Sequence, residues 1–376
     1  RPARKSWMLI SHSRWRRSKS KRRGQMGRKK RIEWVDTVKY VCIIMVMLSH
    51  LETRTEVWRA FYTPFFLTAF FFTAGYVYKP KGSFKEFMFK KFRQLFIPWL
   101  FFSVFDIVLS QMISFNAHES LLEELMRNFL QIRGQGDLIW FVAALFVAFV
   151  PFYFFIQWYE DEVDKVSGGG YRSKCVILII IAWLLSLASI LYTRLVPANT
   201  FPWNSTALPW HLEYMFQAMF YMVTGYMFRR NMETEFDKCN TQRTRIAVLI
   251  VYLLLVFIPF FGKIELPMIA DILYRYLLSV VGIIELVSIA KVVSTNRYIN
   301  YVGQNTLIYF ALHGKVYSAI QTLLKRFMAS FYATVLNNVV ASSVFCLGLS
   351  LALSVILILP AYVINRWFPF IVGRCK

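Results

Sequence analysis

Charge is scarce in this chain. Of its 376 residues only 17% are Asp, Glu, Lys or Arg, while 57% are hydrophobic and the mean hydropathy is +0.45. A soluble domain of this length could not hide so much apolar surface in one core, which excludes the ordinary soluble classes. Cysteine is sparse too. Cys42, Cys175, Cys239, Cys346 and Cys375 show no Cys-x-x-Cys spacing and no nearby His to complete a metal site, so they read as unpaired thiols and no metal is expected. Gly168 to Gly170 reads as a flexible loop, because no Gly-x-x-x-x-Gly-Lys spacing follows a strand there. No internal repeat is found, which weakens an inverted-repeat transporter reading. The connections between apolar runs are about two dozen residues or fewer, which leaves no room for a soluble domain and confines any chemistry to the helix bundle.

What the chain has instead is long apolar runs, near 34 to 51, 60 to 78, 94 to 114, 138 to 158, 175 to 193, 211 to 228, 246 to 262, 268 to 290, 303 to 320 and 335 to 364. Their length and lack of strict alternation suit spanning helices rather than barrel strands. Phe (36), Tyr (20) and Trp (11) gather near the ends of the runs, at headgroup level. The last run is long enough to tilt or to break at Pro360. The expected fold is all-α: a polytopic integral membrane protein with about ten transmembrane helices in one bundle.

The formal charge of +23 suits a nucleic-acid binder in amount but not in placement, since ten of the 44 Lys+Arg lie in the first 25 residues. Beyond them, 23 fall on the N-terminal side of the runs and eight on the opposite side: Arg54, Arg59, Arg127, Arg133, Arg194, Lys263, Lys325 and Arg326. Short basic loops stay cytoplasmic, so the N-terminus, the C-terminus and the loops after spans two, four, six and eight are expected inside. Residues 1–31 form an expected basic tail outside the fold. It reads as an over-extended start before Met26 or as a polybasic segment on anionic lipid. Residues 32–366 form the transmembrane domain and 367–376 a short cytoplasmic tail. The expected partner surface is membrane lipid, with no nucleic acid.

Ionisable groups inside a span are costly unless they meet a partner or water, so each points to function. Lys39 and His50 in the first span are eleven residues apart, three turns plus about 20°, and project from one face roughly 16 Å apart. Asp36 lies one turn before Lys39. A cation at the inner mouth and an imidazole deeper in suit a long anionic cofactor that delivers a reactive end to a base. Alternatively Lys39 snorkels, Asp36 pairs with it and His50 closes the helix at the headgroups. Lys90 and Arg93 share a face where charge runs into the third span. There they can hold phosphates or serve as an ordinary positive-inside anchor. His211, Glu213 and His313 are further candidates, though a lone buried His is more often a packing residue. Asp271 and Arg275, four apart, read as a local ion pair. Asp106 and Glu285 have no partner evident in the sequence.

These segments resemble the membrane-bound acyltransferase type 3 proteins, in particular the fucose 4-O-acetylase-like branch, over about 32 to 365. Asp36, Lys39 and His50 fall on the family's first-span pattern, with Lys where Arg is usual. Phe72-Thr73-Ala74-Gly75-Tyr76 is similar to its aromatic-Ser-Gly-aromatic end of span two, and Lys90 to Trp99 to its basic approach to span three. Trp140-Phe141 within Leu138 to Leu145 resembles its Trp-Phe-Leu signature, and Leu307 to Gly314 its late aromatic segment that closes in His. The resemblance implies transfer of an acyl group, usually acetyl from cytosolic acetyl-CoA, to a hydroxyl of a carbohydrate or lipid-linked glycan acceptor of the cell envelope. His50, with Asp36, would be catalytic. Lys39, Lys90 and Arg93 would meet the CoA phosphates, and Trp140, His211, Glu213 and His313 the acceptor. Lys in place of Arg at 39 puts bidentate phosphate binding there in question. The expected location is the plasma or inner membrane. The competing readings are a transporter or exporter of a glycan or small substrate, and a non-catalytic relative.

Overall fold

The computed structural model describes residues 31–51, 56–80, 82–113, 120–132, 139–164, 171–196 and 208–374. The expectations placed on the basic stretch before Arg31, on Gly168 to Gly170, on Arg54, Arg133 and Leu138 and on Cys375 lie outside those residues. Among the described residues every element is helical. The apolar runs and the segments that lead into them carry α1 (Glu33–Ser49), α2 (Glu56–Tyr62), α3 (Phe66–Tyr76), α4 (Phe84–Lys91), α5 (Ile97–Ile113), α7 (Trp140–Asp164), α8 (Tyr171–Leu195), α9 (Met215–Met227), α11 (Gln242–Gly262), α12 (Met268–Ala290), α14 (Thr306–Phe327), α16 (Val339–Ile356) and α17 (Ile358–Trp367). Short helices α6 (Leu121–Leu130), α10 (Glu233–Cys239), α13 (Arg297–Gln304) and α15 (Ala329–Asn337) lie in the connections.

Prolines set the breaks. Pro64 separates α2 from α3, since its ring excludes the helical ladder. Pro98 would collide with the Gln94 carbonyl in a regular helix. The chain widens instead into a π turn over Phe92–Phe96, and α4 and α5 run on as one helix. The last run breaks at Leu357, three residues before Pro360.

Among the described residues six helices are long and apolar enough to cross a membrane: Phe84–Met112, Trp140–Glu162, Lys174–Leu195, Gln242–Gly262, Met268–Ala290 and Val339–Trp367. The other four runs are helical but fall short. α1 has 17 residues and α9 has 13. The 60 to 78 run is cut at Pro64, and α14 carries His313, Lys315, Lys325 and Arg326. The exposed faces are apolar. Gln242–Gly262 is strongly apolar yet only about 11% buried within the protein, a surface that lipid must cover.

Inside, α9 packs against α3, α7 and α8. The α3/α9 crossing is a contact of backbones. A Cβ on Gly75 would fall on the Met222 carbonyl group, 2.5 Å from its carbon, and one on Gly225 would lie 2.8 Å from the Phe72 carbonyl carbon. α1 is held in the same way, because a Cβ on Gly303 of α13 would lie 2.8 Å from the Asp36 carbonyl carbon. At the end of the bundle where α1 begins, the Lys291 ammonium, 10% exposed, bridges Glu233 and Asp237 at 2.7 Å each. The Tyr76 hydroxyl donates to Glu233 at 2.8 Å.

Candidate active site

α1 ends at Ser49, and the chain tightens there through a bond from the His50 N–H to the Met47 carbonyl at 3.2 Å. His50 is exposed, yet its ring turns onto His313 with centroids 5.0 Å apart and planes at 56°. His313, on α14, is 1% exposed. Its Nδ1 lies 2.8 Å from the Phe310 carbonyl and 3.2 Å from that of Tyr309. Carbonyls only accept, so Nδ1 carries the proton and Nε2 keeps its lone pair. Nε2 has no hydrogen-bond partner among the described residues. The histidine pair is thus one exposed and one buried imidazole, with a basic nitrogen in the bundle interior.

An aromatic path leads onward. Phe310 packs on His313 at 6.0 Å and on Phe141 at 5.8 Å, and Phe141 adjoins Trp140. Trp140 in turn packs on His211 at 5.3 Å and Tyr214 at 5.5 Å. His211 sits in a kinked turn, Pro209–Tyr214, in which Trp210 (φ 58°) and His211 (φ 50°) are both left-handed, a costly pairing for side-chain-bearing residues. That turn stacks Trp210 parallel to Phe96 at 5.6 Å and buries His211 and Glu213, and Ser189 donates to the Glu213 carbonyl.

Trp140 and Tyr214 also line a cavity of about 870 Å³ formed by the ends of α2, α8, α9, α11 and α12 at the His50 end of the bundle. Arg59 lines it as well and lies within electrostatic range of His50. On another wall, Asp271 accepts from Arg275 Nε at 2.8 and 2.9 Å and from Arg194 Nη2 at 2.8 Å. The pair expected at 271 and 275 is therefore present with a third member, 77 residues upstream. Asp106 likewise finds Lys315 at 3.2 Å. Glu285 Oε2 is buried without a hydrogen-bond partner among the described residues.

At the other end of α1, Lys39 and Lys90 both lie within electrostatic range of Lys91, whose ammonium sits 3.8 Å over the Phe149 ring. Arg93 goes elsewhere. Past the start of the π turn it lines a separate cavity of about 430 Å³ with Ile97, Trp367, Phe370 and Arg374. The winding between Lys90 and Arg93 is not that of a regular helix, so the shared face expected for the two does not follow. Asp36 is 2% exposed, and Gln304 approaches its carboxylate at 3.5 Å.

Sequence reasoning brought His50 and His313 forward separately and did not pair them. It missed Lys91, Arg59, Arg194 and Tyr214. The signal for Lys91 was its place in the same basic run. The arginines stood among the few cations of the less basic side, which marks them as unusual there. Among the described residues no three His, Cys, Asp or Glu side chains converge as metal ligands.

A family model described as an acyltransferase domain matches residues 32–359. No curated protein and no solved structure matches the chain.

Proposed function

Because this chain belongs to the acyltransferase family, we propose that it is a membrane O-acyltransferase that moves an acetyl group from cytosolic acetyl-CoA to a hydroxyl of a cell-envelope or lipid-linked carbohydrate. One observation carries the reading. A single helix, α1, has Lys39 with its lysine neighbours near one end, and at the other end an exposed imidazole packed on a buried one. The two ends stand roughly 16 Å apart at 1.5 Å per residue, which an extended donor such as CoA can bridge.

In this reading the basic end faces the cytosol, as the loop charges favour, and the ten apolar runs all traverse a plasma or inner membrane. Lys39, Lys90 and Lys91 attract the CoA phosphates as point charges, while Arg93 supplies a phosphate contact from its own cavity. The thioester is carried toward His50, and the acceptor enters from the cavity lined by Trp140. His50 takes the proton from the acceptor hydroxyl and the oxygen attacks the thioester carbonyl carbon. The C–S bond breaks, and the CoA thiolate leaves and takes the proton back from His50. His313 buttresses the base, with its Nε2 lone pair available to accept an N–H of the His50 ring and so fix which nitrogen faces the acceptor. Asp36, buried beneath Lys39, anchors α1. The resemblance to the fucose 4-O-acetylase-like branch supports acetyl as the group moved.

The test is His50→Ala in membrane vesicles supplied with radiolabelled acetyl-CoA. The variant is expected to insert and melt like the wild type while losing at least a hundredfold in acetyl transfer, within the range for a general base. Wild-type transfer by that variant removes the proposed base.

A further inference from the structure

The charges on the cavity wall are unbalanced. At the Lys39 end of the bundle one cation, Lys291, meets two carboxylates. At the His50 end one carboxylate, Asp271, meets two guanidiniums, those of Arg194 and Arg275. Arg275 spends only its Nε on Asp271, so the two terminal nitrogens of its fork remain uncommitted to that carboxylate. Both arginine side chains are accessible, at 43% and 60%. Two guanidiniums drawn to one carboxylate repel each other, and with Arg59 and Glu56 on the same lining the cavity holds three cations to two carboxylates, an excess of positive charge that favours a further anion. Planar guanidinium forks match a carboxylate or phosphate in two-point contact. The same cavity is lined by Trp140 and Tyr214, aromatic residues of the kind that pack on the C–H faces of a sugar, and its volume lies within the range of about 300–1,000 Å³ typical of ligand sites.

We propose that this cavity binds an anionic carbohydrate, holding its carboxylate or phosphate on Arg194 and Arg275 and stacking a sugar ring on Trp140 and Tyr214. The proposal rests on the acyltransferase reading for its biological meaning, since the bound glycan is then the acceptor. Arg59 lines the cavity and lies within electrostatic range of His50, so on the acyltransferase reading the charged group held by Arg194 and Arg275 would orient the glycan with its acceptor hydroxyl toward the Arg59 side.

The experiment is equilibrium binding, without acetyl-CoA, to the full chain in nanodiscs of zwitterionic lipid. Three probes are compared: a glucuronate-containing tetrasaccharide, the same tetrasaccharide with its carboxylates reduced to alcohols, and that reduced form carrying one phosphate. At least one anionic probe is expected to bind tenfold or more tightly than the neutral one. Which of the two is preferred separates carboxylate from phosphate. The anionic preference should fall at least tenfold in Arg194→Gln/Arg275→Gln and rise in Asp271→Asn, which frees both forks. The opposite signs mean that misfolding cannot imitate the pattern. Equal affinity for all three probes, or a preference that survives the double variant, overturns the proposal. So does a preference abolished by anionic lipid in the disc, which would assign the arginines to headgroups. The acyltransferase reading fails by a different result, namely no acetyl transfer from acetyl-CoA to any acceptor by the wild type.

Discussion

Gly75→Ala is expected to be among the most damaging single-methyl changes in the protein. The added Cβ would lie 2.5 Å from the Met222 carbonyl carbon and 2.7 Å from its Cα. Ordinary carbon contacts are at about 3.5–4.0 Å, so α3 and α9 must part by about 1 Å, and neither neighbour is a side chain that can swing away. A gap of that size forfeits roughly a quarter to a half of each contact's attraction along the seam. The seam is long, since Ala218, Met219, Phe220, Tyr221, Met222, Val223, Tyr226 and Met227 are all buried. We expect a loss of about 3 kcal/mol, the upper end for overpacking, and a fall in Tm of roughly 3–6 °C. A thiol-reactive dye reads this as a rise above the constant signal of the exposed Cys239, because Cys42, Cys175 and Cys346 form no disulfide and are buried, and so react only on unfolding. Gly348 is the control. A Cβ there meets nothing within 4 Å, so Gly348→Ala should be neutral or stabilise by up to about 1 kcal/mol through helix propensity. Adding Gly225→Ala to Gly75→Ala should cost less than the two singles summed, since both open one seam. A Gly75→Ala protein that melts together with the Gly348→Ala protein would refute the argument.

Two further outcomes are expected. Lys39→Gln should raise the KM for acetyl-CoA about five- to tenfold with little change in kcat, on the order of 1 kcal/mol of uniform binding, while Lys39→Arg restores it; steady-state kinetics at two salt concentrations check this. Lys291→Met leaves Glu233 and Asp237 facing each other without their cation and should cost about 3 kcal/mol, the lower end for a broken buried pair because Asp237 is half exposed; Glu233→Gln in that background should recover part of the loss in the same thermal assay.

What could be read from the sequence was what is local in the chain. Apolar runs mark the helices because lipid sorts residues by stretch, and Asp271 with Arg275 was legible because four residues make one turn. Arg194 joins them from 77 residues away, and His313 meets His50 from a helix far along the chain. No periodicity encodes such a meeting. The glycine of Phe72-Thr73-Ala74-Gly75-Tyr76 was visible as a family-like feature, but its reason, a carbonyl on another helix, was not. The count of ten spans rested on hydropathy alone. In the structure, Pro64, the kinked turn before α9 and the charges of α14 leave six helices, among the described residues, that are long and apolar enough to cross a membrane.

The π turn at Phe92–Phe96 behaves as one surplus residue wound into an otherwise regular helix. Lys90 and Lys91 on one side of it and Trp99 on the other therefore keep independent rotational settings, each locked by its own neighbours. Removing a single residue between them would restore ordinary winding and swing one half by about a quarter turn relative to the other. A protein lacking that surplus residue would align well on either flank and be out of step across the junction. Positions such as Arg93 should accordingly be matched by what they touch, and not by counting along the chain.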